Sequence, residues 1–358
     1  MFKEINLRNH SSLHKLFYSL KIKELRRLII SKRLNILLGS GCSTPAIPLM
    51  GEFWKKCDNK DKANEELEEK IKSVSEVLVD PDLKKSDCND QIKNTLDVYV
   101  DFVKSIIEIL NLSNARETPR RANIFTTNYD LFLEKAFDMV SQDYRFIIND
   151  GAKGYFNRAL ESSNFDQVVS YKGINDNYIS EIPSISLIKP HGSVNWDKDE
   201  KNERVYIRNN VVNDPLIVKP TGFEANDTFN QNHFFSMLRF FTNELDKEQS
   251  VLLVIGFSFQ DEHIARMVKR AIANPELMVI CFCFTKKDVK DILKNLHFNI
   301  SDSIPTNISF FIPKTQKDKI DNEEKQYNLQ SILCDNITLK VVNEFLNGVH
   351  DNDDEKDD

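Results

Sequence analysis

Asn128, Asp130 and His191 are the side chains of this sequence best placed to do chemistry, because each sits in a short polar turn that closes an apolar run. Four such turns occur. Gly39-Ser40-Gly41-Cys42-Ser43 follows Leu34–Leu38, and Thr126-Thr127-Asn128-Tyr129-Asp130 follows Ala122–Phe125. Pro190-His191-Gly192-Ser193 follows Ile185–Ile188, and Gly256-Phe257-Ser258-Phe259 follows Val251–Ile255. In an open α/β sheet, ligands bind in the crevice outside the carboxyl ends of the strands. Turns of this kind converge there. Together they offer a glycine-rich phosphate loop, an amide, an imidazole and a second glycine turn. That inventory suits a nucleotide whose glycosidic bond is to be broken.

Each turn also has a plainer reading. Gly39 and Gly41 after a strand can aim backbone N–H groups at a pyrophosphate, or they can simply form a tight turn. The full G-x-G-x-x-G fingerprint is absent, since Thr44 stands at the third glycine position and Pro45 follows. Asn128 lies where a helix N-cap is expected, or it can hydrogen-bond a ribose hydroxyl or a water. Asp130 could accept from a carboxamide NH2. His191, held between proline and glycine, is a base for neutral pH or a histidine serving its own turn. Trp196 walls a pocket or fills the core. Asp261 is a natural N-cap with Glu262 beside it. His263, in the first turn of that helix, reads as structural, because nothing in the sequence pairs it with another group.

The elements that must position these turns alternate. Val251–Ile255 and Leu277–Phe284 are continuous apolar runs, as in parallel strands covered on both faces, and Leu34–Leu38 is read as the first strand. Further strands are expected at Tyr144–Ile148, Arg204–Ile207 and Leu216–Val218. Helical spacing covers 63–78 and 90–111, where Ile92, Leu96, Tyr99, Val103, Ile106, Ile107 and Leu110 form a stripe. Other helices are expected from about Phe229 to Leu245, over Asp261–Ala273 and Thr285–Leu296, and at 337–346. The helix after the second turn is expected to begin near Tyr129 or Asp130. This pattern predicts an α/β fold with a doubly wound, Rossmann-like parallel sheet. Residues 1–31 read as an N-terminal basic helix, 32–345 as the main domain with a helical insertion at 51–120, and 346–358 as an acidic, solvated tail.

Of the 358 residues, 41% are hydrophobic and 29% charged, which is ordinary for a protein with a real core. The net charge of −7 is concentrated in the tail, where Asp351–Asp358 carries six acids and one lysine. The near-neutral body gives no sign of nucleic-acid binding. Lys21, Lys23, Arg26, Arg27, Lys32 and Arg33 read as a solvated helix face or a partner site. No apolar run approaches the ~20 residues that cross a bilayer, and no signal-like stretch opens the chain. The expectation is a cytoplasmic protein without membrane contact. The six cysteines form no C-x-x-C pair, so neither a zinc ribbon nor a disulfide framework is expected. Cys281 and Cys283, on alternate positions of one strand, read as core fillers.

The four turns, taken in this order and with Gly256-Phe-Ser-Phe-Gln-Asp-Glu-His-Ile in full, resemble those of sirtuin-like domains. More narrowly, they are similar to the bacterial sirtuin-like NAD hydrolases of antiphage defence. The resemblance implies NAD+ as substrate, no metal, and release of nicotinamide and ADP-ribose. It implies that Asn128 orients the nicotinamide ribose and a water, and that His191 is the base. Gly39, Ser40, Gly41, Ser43, Thr127, Asp130, Gly192, Gly256 and Ser258 would bind the dinucleotide, with Asp130 on the carboxamide and Gly256 and Ser258 on the adenosine half. It further implies a homo-oligomer, often partnered by a HerA-like hexameric ATPase. Two rivals remain. One is a non-catalytic NAD or ADP-ribose sensor or scaffold. The other is a protein deacylase, which the missing zinc cysteines disfavour.

Overall fold

A computed structural model of the chain describes residues 25–57, 59–81, 89–113, 119–171, 180–199, 204–218, 232–298, 304–314 and 329–348, together with Lys23 and Leu83. Its centre is one sheet of eight strands: β1 Arg33–Leu38, β2 Arg121–Thr126, β3 Ile147–Asn149, β4 Ser184–Ile188, β5 Ser250–Ile255, β6 Met278–Phe282, β7 Ile308–Lys314 and β8 Leu329–Leu333. The order is β8-β7-β6-β5-β1-β2-β4-β3, and every neighbouring pair is parallel. The chain leaves β1 toward β2 on one side and returns to place β5 on the other. The switch point therefore lies between β1 and β5, as in a doubly wound sheet.

Helices cover the two faces. Between β1 and β2 come α1 Met50–Lys56, α2 Lys60–Val79 and α3 Asp90–Leu112; α4 Phe132–Val140 follows β2. Then come α5 Asn232–Asp246 before β5, α6 Glu262–Ala271 after it, α7 Asp288–Asn295 after β6, and α8 Leu339–Asn347 after β8. The starts of α2 and α3 are fixed by asparagine caps: Asn59 accepts from Asp61 N–H and Asn89 from Ile92 N–H at 3.0 Å. The whole apolar stripe of α3, from Ile92 to Leu110, is buried. One face of the sheet packs against α2, α3, α4 and α8 through residues such as Phe102, Phe132, Phe137 and Phe345. The other packs against α5, α6 and α7 through Phe125, Phe234, Phe241, Ile264 and Phe310. Both faces are thus covered, which is why β5 and β6 read as nearly unbroken apolar runs. Cys281 and Cys283 lie in the second of these cores. Trp196 is core as well, its ring stacked on Phe234 at 6.4 Å.

Several boundaries differ from the sequence reading. The helix after β2 begins at Phe132 instead of Tyr129 or Asp130. The expected strand at Tyr144–Ile148 is the shorter Ile147–Asn149. Leu216–Val218 is no strand; Ile217 makes one isolated antiparallel bridge to Gly192. β7 and β8 were not anticipated. Pro313 argues against a central strand, but the pairing of β6 with β7 ends at Phe311, before the proline. Arg204–Ile207 pairs with Trp196–Asp199 in a small antiparallel sheet. The expected helix start at Phe229, most of the basic helix at 1–31 and the tail from 349 onward lie outside the described residues. No helix among the described residues is long and apolar enough to cross a membrane.

A polar row runs through the middle of this apolar sheet. Asn35 on β1, Asn123 on β2 and Ser186 on β4 are register neighbours, and all are buried. Asn123 Nδ2 donates to Asn35 Oδ1 at 2.9 Å, which leaves Asn35 Nδ2 and Asn123 Oδ1 without hydrogen-bond partners among the described residues. Losing one partner of a buried hydrogen bond strands the other, whereas replacing both can be nearly neutral. Asn35→Val is therefore expected to lower unfolding free energy by about 1–3 kcal/mol. Adding Asn123→Val should recover a large part of that loss. Denaturant titration of both singles and the double reads the coupling, and strictly additive losses would refute this account.

Candidate active site

The site is built where the turns after β1 and β5 meet. Gly39 N–H donates to Ile255 O at 3.0 Å and Gly41 N–H donates to Gly256 O at 3.1 Å. The N–H groups expected to face a phosphate are thus committed to the neighbouring turn. What the glycines supply is room. A Cβ on Gly39 would stand 2.3 Å from Gly256 O, and one on Gly256 would stand 2.8 Å from Cys42 N and Sγ. Cys42 is enclosed by the same contact, and its thiol reaches Ile255 O at 3.4 Å. Burial pushes its pKa up to about 12, so it is no thiolate nucleophile at neutral pH. Ser40 and Gly41 remain exposed at the lip of the loop, as do Gly256 and Ser258. The Ser258 carbonyl accepts from Asn295 Nδ2 at 2.7 Å.

The turn after β2 inserts into this junction. Asn128 N–H donates to Thr126 Oγ1 at 3.1 Å, while half-buried Thr127 sits between them in sequence. The Asn128 side chain donates through Nδ2 to Gly39 O at 3.1 Å and to Ser43 Oγ at 3.2 Å. Gly39 O can only accept, which fixes which end of the amide is NH2. Asn128 Oδ1 is buried and has no hydrogen-bond partner among the described residues. Ser43 Oγ donates to Asp130 Oδ2 at 2.8 Å and lies 2.9 Å from Tyr99 Oη. A serine hydroxyl has one proton. With that proton on Asp130, Ser43 accepts from both Asn128 and the Tyr99 hydroxyl.

Asp130 is buried, and its Oδ1 accepts from Phe132 N–H at 3.3 Å. Burial raises its pKa, against the opposing pull of the Lys189 charge and the Ser43 hydrogen bond. Lys189, at the end of β4, is also buried, and its ammonium donates to Asp130 O at 2.7 Å, Glu134 Oε1 at 2.7 Å and Ser193 Oγ at 2.9 Å. It ties the turn after β2 to the turn after β4.

That third turn carries His191. Phe125 and Ile188 are register partners on adjacent parallel strands, so Asn128 and His191, each three residues further on, leave the sheet at the same level. The His191 backbone is clamped: its carbonyl accepts from Val218 N–H at 2.8 Å. Gly192 has φ +85, and a Cβ there would stand 2.0 Å from Leu216 O. The His191 ring meets a second imidazole, with Nε2 3.0 Å from His263 Nε2 and ring centroids 5.1 Å apart. His263 therefore has a partner that nothing in its sequence position indicated. β4 and β5 are separated in the sheet by β2 and β1. The imidazole pair thus joins turns about 14 Å apart at the strands' ends, taking about 4.8 Å per strand. A surface cleft lined by Ile107, Arg120, Arg145, Glu181 and Pro183 opens at the amino-terminal ends of β2 and β4, away from all these residues. Among the described residues no three metal-ligating side chains come together.

Residues 122–277 match the family model of the SIR2-like domain. Over these residues the chain is similar to that domain. The match holds Asn128, Asp130, His191, Gly256 and His263, and it begins after the Gly39–Ser43 loop that completes their site. It fits an NAD-related activity in general. No curated protein matches the chain.

The candidate site thus joins Gly39, Ser43, Asn128 and Asp130 by hydrogen bonds, and Gly41 to Gly256 through the backbone. Sequence reasoning missed Tyr99, Lys189 and His263 as members. Tyr99 was visible only as one position of an apolar stripe, yet its ring stacks on Phe132 at 5.3 Å while its hydroxyl reaches the polar cluster. An unmatched hydroxyl on a buried stripe was the available signal.

The raised Asp130 pKa has a sign. The ionised form is disfavoured in the folded state, so stability falls as pH rises from the ordinary carboxylate pKa, ~4, to the raised one, and is level above it. Asp130→Asn removes that ionisation. Its melting temperature relative to the parent should rise over this window and show no pH dependence below about pH 4. A difference that is flat across the window, or that falls, would show that Asp130 is not held in this way.

Proposed function

We propose that the chain is an NAD+ glycohydrolase that releases nicotinamide and ADP-ribose, acting as an antiphage effector through NAD+ depletion. The observation that carries this reading is Asn128. Its amide is buried and oriented by Gly39 O and Ser43 Oγ, and its Oδ1 is an unmatched acceptor among the described residues. A buried acceptor without a donor costs about 1–3 kcal/mol, and a sugar hydroxyl or water supplies that donor. The residues fit the dinucleotide in this respect: an acceptor for a ribose hydroxyl stands level with an imidazole on the next strand.

The chemistry asks little else of the protein. The C–N bond to nicotinamide breaks with its electron pair going to the cationic ring, which leaves neutral. Water forms the new C–O bond and loses one proton. His191 supplies the base for a hydroxyl of the sugar or water, and Asn128 orients that hydroxyl. The buried, protonated Cys42 thiol takes no part. The resemblance to defence hydrolases extends this reading to a homo-oligomer with a HerA-like hexameric ATPase as partner.

Purified protein incubated with NAD+ should release nicotinamide. His191→Ala and Asn128→Ala should each lower the rate by about 10²–10⁴-fold, as expected for loss of a positioned base or its orienting group. Their melting temperatures should stay close to the parent's. A His191→Ala protein with full activity would remove the base from this scheme, and absence of turnover with tight NAD+ binding would favour a sensor.

A further inference from the structure

We propose that His263 is the positioning residue that sets the proton on His191, and so determines which nitrogen of His191 acts as the base. This rests on the hydrolase reading above and deepens it. The two Nε2 atoms lie 3.0 Å apart between buried rings. A hydrogen bond between two imidazole nitrogens holds one proton, so one ring donates N–H and the other offers a lone pair. If His263 were the donor, the Nε2 lone pair of His191 would be occupied and its proton would sit on Nδ1. His191 could then accept nothing without breaking the contact. The reverse arrangement leaves it competent. His191 Nε2–H donates to His263 Nε2, and a proton leaving a substrate hydroxyl arrives at His191 Nδ1.

The balance closes without another reactant. The hydroxyl loses a proton, His191 becomes an imidazolium carrying N–H on both nitrogens, and His263 stays neutral with its own proton on Nδ1. The Nε2–H bond to His263 then becomes charge-assisted and shorter than its neutral form. It is therefore stronger when the base has done its work than before, which is the condition for lowering a barrier. The fold supports this role. His263 is in the first turn of α6, on the far side of β1 and β2 from His191, so the contact also holds the ends of β4 and β5 in one relation. A residue needed only to fill space there would not require a nitrogen aimed at a nitrogen.

The decisive measurement needs no turnover. Long-range ¹H–¹⁵N correlation on the histidine-labelled full chain reads the tautomers of the seven histidines, with His191 and His263 assigned from single variants. His191 is expected as the Nε2–H tautomer and His263 as Nδ1–H. In His263→Phe, which keeps a ring but no acceptor, the His191 signal should lose that single form. Its kcat should fall by about 10- to 100-fold, the worth of a hydrogen bond to a charged group, with KM little changed. His263→Gln, whose Oε1 can accept from Nε2–H, should restore most of the rate. Finding His191 as Nδ1–H in the parent would overturn the proposal, as would a folded His263→Phe protein with parental kcat. If the parent releases no nicotinamide, the hydrolase reading fails while the tautomer measurement still decides the pair; if His263→Phe does not fold, the parent's tautomers and the His263→Gln rate decide it.

Discussion

Two turns in this molecule touch so closely that only hydrogen atoms fit between their α-carbons and the facing backbone. Gly39 and Gly41 after β1 lie against Gly256 after β5, joined by two backbone hydrogen bonds. The contact sits at the switch point of the sheet, where the two halves of the winding diverge. A methyl group on Gly39 would require the turns to separate, since 2.3 Å to Gly256 O is far inside contact distance. That separation would carry off Gly39 O, the acceptor that orients the Asn128 amide, and with it the Ser43 hydroxyl. The glycines matter here for backbone approach more than for phosphate contact.

From that junction the polar cluster follows by proton accounting. Ser43 gives its one proton to Asp130 and receives from Asn128 and Tyr99. Tyr99 belongs to α3, so the helices between β1 and β2 contribute to the site. Its ring is held flat against Phe132 on α4 while its hydroxyl faces the cluster. Burying Asp130 is unfavourable in itself. The Lys189 ammonium partly offsets that cost, and its three protons all find oxygen acceptors. Each member is matched only while the others stay in place, which makes the arrangement rigid and specific.

Much of this was legible in the sequence, for identifiable reasons. Parallel strands covered on both faces are mostly apolar, so β5 and β6 announce themselves as continuous runs. The stripe of α3 does so by its period. The polar turns stand out because they interrupt such runs. What was illegible is what depends on distance in space. His191 and His263 lie 72 positions apart, and nothing local to either indicates the other. Tyr99 is hidden because an apolar stripe tolerates a tyrosine. The glycine N–H groups were read as phosphate donors because the partner turn, more than 200 residues on, was invisible from the loop itself. β7 was missed because its proline lies beyond the segment paired with β6, a matter of register and not of composition.

The two readings that the sequence left open for Asn128 are separated by where its oxygen goes. A capping asparagine accepts, through Oδ1, from an N–H two or three residues further along. Here that service is performed by Asp130, which accepts from Phe132 N–H at the start of α4. Asn128 lies one turn too early for it, and it uses its other end, Nδ2, to reach back across 89 positions to Gly39. The local structural duty has passed to the neighbouring aspartate. The amide is held from behind by two acceptors, with its oxygen buried at the carboxyl ends of the strands and unmatched among the described residues. A group oriented so firmly, with one side unmatched among the described residues, is what the role proposed for Asn128 requires.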